Sequence, residues 1–407
     1  MMSDAAVHDA ENRSGLMSEA ERLRERLVSI RRQIHSRPEY GFREYETARL
    51  VAETLERAGA RVRRDVAKTG VVGELGAGRP VVVIRADMDA LPISENTGLP
   101  FASTVEGMMH ACGHDAHVAC ALGAAMLLAE RPLDGTIRFL FQPSEEQKDE
   151  EGLSGAMRMI EEGALDDAAA IIALHTRALP VGHVGVTSGP ALAANDTIRI
   201  AIRGRAAHGA HPEEGLDAIA VATQVIVAIQ QIVARRTPAI EPAVVSITTI
   251  QGGIKENIIA EQVELGGTIR STGGAARERL LAELERALDV GRALGATCDL
   301  RVLEGYPVTK NDPKVSNAIR ASAVEVLGGN SVMDLPFDTW AEDFGYMTER
   351  VPGAMFWLGV VSERVPHPVW HSASFDLDEG ALPVGAAVLV ASALRLLKER
   401  ATTIHEQ

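Results

Sequence analysis

Residues 81–89 read VVVIRADMD, and this stretch is the clearest guide to the fold. Its first four residues are all apolar and β-branched, which is typical of a strand buried on both faces of a helix-covered parallel sheet. The surrounding chain alternates between helix-like and strand-like patterns, at Thr47–Ala58, Val71–Leu75, Val118–Glu130, Thr136–Phe141, Gly155–Glu162 and Ala168–Leu174. This alternation predicts an α/β domain with a mostly parallel central sheet and helices on both faces.

From about Ser188 the pattern changes to the order β-α-β-β-α-β. Its segments are Thr197–Ile202, Leu216–Ala234, Ala243–Ile250, Gln262–Arg270, Ala276–Leu294 and Thr297–Leu303. That order is typical of a ferredoxin-like α+β sheet with helices on one face. Because the α/β pattern resumes at Val315–Leu327, Ala354–Leu358 and Ala381–Lys398, we interpret the middle part as an inserted domain. We predict a disordered tail at 1–17, a catalytic domain in two parts (18–187 and 305–407) and a small domain at 188–304.

Composition excludes several classes of protein. The 407 residues include 46% hydrophobic and 24% charged residues, as in soluble globular proteins. A formal net charge of −15 argues against a nucleic-acid partner. Three cysteines fit a reducing compartment better than a disulfide framework.

The apolar segments predict a soluble chain. The N-terminus has no apolar core like that of a signal peptide. The runs 118–129 and 218–234 are too short, or too interrupted by polar residues, for a membrane span. We therefore expect a cytoplasmic protein without a membrane partner. The helix Leu216–Ala234 is apolar nearly all round, so a homodimer through the small domain is a hypothesis.

Residues 108–117 read MMHACGHDAH and crowd together side chains that bind transition metals. Cys112 and His114 are two apart, so in an extended segment they would point to the same side. A buried structural cysteine beside ordinary histidines is one alternative. A structural zinc site is another, but it would need a second pair resembling C-x-x-C, which the sequence lacks. A catalytic metal site with distant further ligands is favoured.

Acids and histidines follow the predicted strands, where open α/β sheets bind ligands. These residues are Asp87 and Asp89, Glu145 and Glu146, His175, and, after a loop, His371. For Asp87 a helix N-cap and a metal ligand are equally open. Asp89 is favoured to orient a metal-bound histidine. His175 alone could equally be a core histidine.

Glu145 and Glu146 suit metal-assisted hydrolysis. One carboxylate can bind metal while the other holds a water as general base. The candidate ligands, Cys112, His114, Glu146, His175 and His371, outnumber those of a tetrahedral site, which favours two metal ions. Thiolate and imidazole suit zinc, and the mixed set also admits manganese, with cobalt or nickel as further options.

Several motifs in order resemble one known family. They are RADMDALP (85–92), MHACGHDAH (109–117), FQPSEE (141–146) and HSASFDLDE (371–379). They are similar to the amidohydrolase branch of the aminoacylase/carboxypeptidase metallopeptidases, which contains N-acyl-amino-acid amidohydrolases, hippurate hydrolases and auxin-conjugate hydrolases. The resemblance runs from about Ile34 to Leu397.

The resemblance implies a di-metal catalytic domain interrupted by a lid domain. It implies that the five candidate ligands bind metal and that Glu145 is the general base. Apart from the resemblance, we expect Asp87 and Asp89 to support the ligands. It places His208 of the lid as the group that polarises the scissile carbonyl. Asn257 and Arg270 would hold the substrate carboxylate.

The function so implied is cleavage of the amide bond of N-acyl amino acids to a carboxylic acid and a free amino acid. A dipeptidase, a carboxypeptidase, or an aminohydrolase acting on another C–N bond stays open as an alternative. A non-catalytic metal-binding module is the third hypothesis. It would predict damaged ligands, and every expected ligand is present.

Overall fold

The structure, a computed structural model, describes residues 15–405, with side chains up to residue 401. Of the tail predicted at 1–17, residues 1–14 lie outside the described residues. Residues 15–17 are helical, so the predicted boundary of the tail was wrong there.

Within the described part, helices and strands are interspersed along the chain. The α-helices are α1 (15–22), α2 (Arg24–His35), α3 (Tyr45–Arg57), α4 (His114–Ala129), α5 (Gly155–Glu161), α6 (Ala218–Gln231), α7 (Gly274–Ala293), α8 (Pro313–Leu327), α9 (Phe344–Thr348) and α10 (Ala381–His405). The strands are β1 (Arg61–Val66), β2 (Gly70–Gly76), β3 (Val81–Asp87), β4 (Thr136–Gln142), β5 (Ala168–Pro180), β6 (Val184–Val186), β7 (Gly189–Leu192), β8 (Ala194–Arg203), β9 (Val244–Gly252), β10 (Gln262–Ser271), β11 (Thr297–Glu304), β12 (Thr309–Asn311), β13 (Val332–Asp334) and β14 (Gly353–Val361).

The chain divides into two compact units. Unit 1 contains the chain up to Gly189, Lys310–Pro336 and the chain from Tyr346, and unit 2 contains Pro190–Thr309 and Phe337–Gly345. The main segment of unit 2 begins and ends close to the domain that we predicted at 188–304. The prediction missed residues 337–345, which fold with unit 2 although they lie far along the chain.

Unit 1 is built on a sheet with the strand order β1-β2-β4-β3-β5-β14-β6-β13. β3 pairs in parallel with β4 and β5, and β5 pairs in parallel with β14. β1 and β2 extend this centre as antiparallel strands. All seven residues of β3 are buried, as its apolar run predicts. The predicted α/β class with a mostly parallel sheet is confirmed.

Helices α2, α4 and α10 enclose the core of unit 1. Val82 and Ile84 of β3 belong to the same buried cluster as apolar residues of these helices. α4 carries alanine and leucine over most of its length and is buried almost throughout, so it is a core helix. The carboxyl ends of β3 and β4 lie beside the start of α4.

Unit 2 has the predicted β-α-β-β-α-β order. Its four antiparallel strands are arranged β11-β8-β10-β9. Alternate residues of β8, including Ile198, Ile200 and Ile202, are buried in one cluster with apolar residues of α6 and α7. Asp217 caps α6 by accepting the backbone N–H groups of Ile219 and Ala220. This is the ferredoxin-like arrangement expected from the sequence.

Two helices in the described residues have the length and composition that a membrane span requires. Ala381–Ala401 has 78% of its window buried inside the protein and is a core helix of unit 1. Ala218–Arg236 combines α6 with a π-helical turn, and 33% of its window is buried. We expected its polar interruptions to rule this segment out, and by length and composition they do not.

Candidate metal centre

The loop 108–113 brings Cys112 and His114 to the start of α4. His114 is the first residue of that helix, so the expectation of an extended segment was wrong. Gly113 adopts a left-handed φ of 99° between them. A Cβ at this position would lie 2.6 Å from Oγ1 of Thr176. Glycine is therefore required here both for the backbone conformation and for the close approach of β5.

The imidazole of His114 is fixed on one side only. Its Nδ1 lies 2.9 Å from the carbonyl oxygen of Asp89 and 3.2 Å from Oδ1 of the same residue, so Nδ1 donates. Its Nε2 is buried and, among the described residues, has no hydrogen-bond partner. Oδ2 of Asp87 and Oε2 of Glu145 lie 3.8 and 4.0 Å from that nitrogen. A buried lone pair facing carboxylates is costly unless a cation lies between them, and this orientation is the one that metal-binding histidines adopt.

His175 faces the same loop from β5. We expected a strand that ends at Leu174, but β5 continues to Pro180 and His175 lies within it. Nδ1 donates to the carbonyl oxygen of Thr176 at 2.9 Å, and Nε2 lies 3.5 Å from Sγ of Cys112. Burial lowers the pKa of His175 well below its ordinary value. A neutral imidazole with its Nε2 lone pair beside a thiol is suited to bind a metal.

Glu145 and Glu146 lie on a turn after β4. Ser144 begins this turn with a left-handed φ of 47°. The backbone N–H of Glu146 donates to Oδ2 of Asp89 at 3.0 Å. Asp89 thus holds both His114 and this turn, which agrees with the supporting role predicted for it. The Glu145 side chain is buried and so is shielded from bulk water, as we expect of a general base.

His371 approaches from the loop between β14 and α10. Its Nε2 lies 3.1 Å from Oε1 of Glu146, and its backbone N–H donates to the carbonyl oxygen of Ala111 at 2.9 Å. The Glu146 carboxylate raises the pKa of His371. This ring is about half exposed, in contrast to the other histidines of the site.

All five predicted ligands come together in two groups. Within each group the potential ligand atoms lie within 4.8 Å of one another, and the groups are Cys112, His114, His175 and Cys112, Glu146, His371. Cys112 belongs to both. Glu145 forms a further group with His114 and Glu146. Such a donor set of thiol, imidazole and carboxylate fits two divalent ions that share the sulfur.

Asp87 is not the N-cap of a helix, because the residues directly after it are not helical. It forms a further group with His114 and His117 whose potential ligand atoms lie within 4.8 Å of one another, so its alternative role as a metal ligand stays open. His117 accepts the backbone N–H of Thr176 at Nε2 (3.1 Å), and its Nδ1 therefore donates to Asp87 at 2.6 Å. Arg85 donates to the other oxygen of Asp87 at 2.6 Å. Both nitrogens of His117 are thus occupied, which fixes its neutral tautomer.

A buried charged cluster behind the metal loop escaped the sequence analysis. Arg31 donates to Oδ2 of Asp115 at 2.9 Å and to Glu379 at 3.1 Å. His35 donates to the same oxygen of Asp115 at 2.8 Å. Although burial opposes the charge, Asp115 and Glu95 raise the pKa of His35 to about 9. No motif marks Arg31 or His35, since a basic α2 looks like a solvated helix in the sequence.

Unit 2 carries the three remaining predicted residues. His208 and Asn257 are exposed on adjacent segments, where the N–H of Gly209 donates to the carbonyl oxygen of Asn257 at 2.8 Å. Nδ1 of His208 accepts the N–H of Ala210 at 3.0 Å, which leaves its Nε2 as the donor. Arg270 is half-buried on β10, where burial lowers its pKa and the charge of Asp196 opposes that shift.

A family model matches residues 83–395 of the chain, described as peptidase family M20/M25/M40. This segment contains all five candidate ligands as well as Glu145, His208, Asn257 and Arg270. It spans most of both units, so the match covers the site together with the fold that carries it.

Relatives of known activity align over nearly the whole chain. A thermostable carboxypeptidase of Saccharolobus solfataricus is 38% identical over 91% of this chain and 95% of its own length. An N-acetylcysteine deacetylase of Bacillus subtilis is 38% identical over 92% of this chain and 97% of its own length. An IAA-amino acid hydrolase of Arabidopsis thaliana is 36% identical over 92% of this chain and 86% of its own length.

A solved structure shares the fold. A dinuclear metal-binding peptidase of the M20 family from Bacillus subtilis superposes with a TM-score of 0.81 and 36% identity, over 93% of this chain and 99% of that chain. The predicted resemblance and the predicted amide hydrolysis of N-acyl amino acids are thereby confirmed at the level of the family. The chain belongs to peptidase family M20/M25/M40 and is a metal-dependent amidohydrolase.

Proposed function

We propose that unit 1 hydrolyses its amide substrate at a centre of two divalent metal ions. The ligands are the five side chains of the two groups that share a thiol, namely Cys112, His114, Glu146, His175 and His371. The observation that carries this proposal is the buried Nε2 of His114, which has no hydrogen-bond partner within residues 15–401, while its Nδ1 is held by Asp89. When bound, the ions would polarise the scissile carbonyl and lower the pKa of a water molecule.

Glu145 performs the proton transfers in this proposal. It accepts a proton from water as the water oxygen bonds to the carbonyl carbon. It then passes the proton to the amide nitrogen as the C–N bond breaks, which releases a carboxylic acid and an amine. Its burial supports this role because a carboxylate shielded from bulk water keeps the transferred proton within the site.

For the substrate we propose an N-acyl amino acid whose carboxylate is held by Arg270 and Asn257. Arg270 offers a half-buried guanidinium, and Asn257 offers an exposed amide donor. His208 has its donor nitrogen Nε2 exposed, as a group that stabilises a developing oxyanion requires. The deacetylase and the IAA-amino acid hydrolase named above support this substrate class.

The metal we propose is zinc or manganese. A shared thiolate and two imidazoles favour zinc, whereas the carboxylate and the half-exposed histidine also suit manganese, and cobalt or nickel would fit the same donors. Stripping the enzyme of metal and restoring each ion separately measures this preference directly.

Replacement of the general base tests the mechanism. We expect Glu145→Gln to lower kcat on N-acyl amino acids by about 10²- to 10⁴-fold while the bound metal, measured by elemental analysis, stays unchanged. Glu150→Gln, on an exposed residue of the same loop, is the matched control and should leave kcat unaltered. Full activity of the Glu145 variant would refute the assignment.

A carboxypeptidase or dipeptidase is the second candidate, and the 38% identical carboxypeptidase favours it. The two candidates differ in the group that acylates the amino acid, which is a simple carboxylic acid in one case and another amino acid residue in the other. Comparing kcat/KM for acetylated or benzoylated amino acids with that for free dipeptides separates them. We expect the acylated amino acids to be the better substrates.

We also propose a homodimer through unit 2. α6 packs Val221 and Val225 into its own core and leaves Ile219 and Val227 about half exposed, at 43% and 58%. These two residues are eight apart and therefore lie on one face of the helix. A partner that covers this face would remove apolar surface from water. Sedimentation of a monomer at working concentration would contradict this proposal.

A further inference from the structure

The segment 39–44, between α2 and α3, contacts two loops of the candidate metal centre without contributing a ligand. The backbone of Tyr40 bridges Ala90, and the N–H of Ala90 donates to the carbonyl oxygen of Glu39 at 2.8 Å. Ala90 directly follows Asp89, the residue that holds His114. The segment 39–44 is thus joined to the first of the two loops by backbone hydrogen bonding.

Its contact with the second loop is through Glu44. This side chain is fully buried, and its Oε1 accepts the backbone N–H of Ser144 at 2.8 Å. Its Oε2 accepts the hydroxyl of Thr69. Ser144 has the left-handed φ described above, and it immediately precedes Glu145. A carboxylate placed here holds the unusual conformation from which Glu145 projects.

Gly41 lets the segment 39–44 approach the Ser144 turn closely. A Cβ on Gly41 would lie 2.3 Å from Oγ of Ser144 and 2.3 Å from Nε2 of Gln147. The segment therefore packs directly against the turn that carries Glu145 and Glu146. Since it also pairs with Ala90, it sets the spacing between the Asp89 loop and the Glu145 turn.

We propose that Glu44 is a positioning residue, which holds the Ser144 turn so that the Glu145 carboxylate faces the reacting water. The inference rests on the proposed role of Glu145. Misplacing a catalytic group by about 1 Å can cost on the order of 10²-fold in rate, so a hydrogen bond one residue away is enough to matter.

Replacing Glu44 with glutamine separates the effect of its hydrogen bonds from the effect of its charge. Burial, together with the nearby charge of Asp89, raises the pKa of Glu44 to about 8. The amide of a glutamine can present its carbonyl oxygen to the N–H of Ser144 and its own N–H to the hydroxyl of Thr69. Glu44→Gln therefore keeps both hydrogen bonds, whereas Glu44→Ala leaves the Ser144 N–H buried without an acceptor.

The test compares these variants at saturating metal. We expect Glu44→Ala to lower kcat by about 10- to 100-fold with little change in KM, and Glu44→Gln to restore most of it. Amide hydrogen exchange at Ser144 should accelerate in Glu44→Ala and stay protected in Glu44→Gln. Asp312→Ala is the matched control, because Asp312 accepts two backbone N–H groups at the start of α8. It should lower the unfolding temperature without altering kcat or the exchange of Ser144.

Several outcomes would overturn the inference. They are unchanged kcat in Glu44→Ala, equal losses in the alanine and glutamine variants, or an equal loss in Asp312→Ala. If Glu44→Ala does not fold, Glu44→Asp shortens the side chain by one methylene and withdraws the carboxylate from the Ser144 N–H, and unchanged kcat and exchange in that variant refute the inference. An active Glu145→Gln enzyme would instead refute the proposed function, whatever the Glu44 variants do.

Discussion

Asp115→Asn tests how much of the stability of unit 1 depends on the buried charges behind the metal loop. Oδ2 of Asp115 accepts from both Arg31 and His35, and Oδ1 accepts the backbone N–H of Ala116 at 2.9 Å. An asparagine has only one oxygen. Whichever way its amide turns, an NH₂ group faces a donor. The fully buried Arg31 loses one of its carboxylate partners and keeps Glu379.

Two independent estimates give the size of the effect. Removing one partner from a buried ion pair typically costs about 3–5 kcal/mol. The rise in the pKa of His35 from 6.5 to about 9 corresponds to a net stabilisation of its charged form by about 3 kcal/mol. Burial opposes this rise, and Asp115 and Glu95 together produce it. We therefore expect Asp115→Asn to lower the free energy of unfolding of unit 1 by about 3–5 kcal/mol.

Urea unfolding followed by tryptophan fluorescence measures this change, since Trp357 and Trp370 both lie in unit 1. The measurement is made in chelator, so that altered metal binding does not contribute. Glu46→Gln is the control. It removes the exposed partner of Arg49 and should cost less than about 1 kcal/mol. A loss below about 1 kcal/mol in Asp115→Asn would refute the reasoning, because it would equal that of an exposed pair.

Two further predictions concern pH and metal affinity. The folded-state pKa of His35 lies above its unfolded value, so its stabilising contribution is complete below pH 6.5 and is lost as the pH rises towards about 9. The difference in unfolding free energy between wild type and His35→Gln should shrink across that window, and a constant difference would contradict it. Asp89→Asn should weaken metal binding by about 10-fold, near the lower end of the range for such partners, because the carbonyl oxygen of Asp89 still accepts from His114. A competing chelator titration measures this, and unaltered affinity would show that the carboxylate contributes nothing.

The fold could be predicted wherever the spacing of hydrophobic residues or the order of helices and strands along the chain indicates it. The apolar run of β3 indicated a strand buried on both faces, and β8 to β11 kept the predicted order. The strands β6 and β13 were missed because each has only three residues, and their pairing depends on the neighbouring β14 and on each other. Segment 337–345 was missed because nothing local to it indicates that it folds with unit 2.

The candidate site was predictable in its residue types and only partly in its geometry. Side-chain chemistry selected all five ligands that the structure brings together, and for Glu146, His175 and His371 a predicted position after a strand added to the argument. The relative direction of the Cys112 and His114 side chains depends on the left-handed backbone of Gly113. The pattern of side chains in the sequence does not reveal that conformation. The roles of Arg31 and Glu44 depend on partners far along the chain. Their charges look solvated in the sequence, and only tertiary packing makes them interior.

The insertion of unit 2 also constrains the order in which the protein can fold during synthesis. In the large sheet β5 pairs with β14, and the main segment of unit 2 is translated between these two strands. The antiparallel sheet and both long helices of unit 2 come from that one segment, so they can assemble while β5 still lacks its neighbour. Until Gly353–Val361 leaves the ribosome, β5 presents an apolar strand edge that invites pairing with other chains. We therefore expect the chain to depend most on chaperones late in translation, just before β14 pairs with β5.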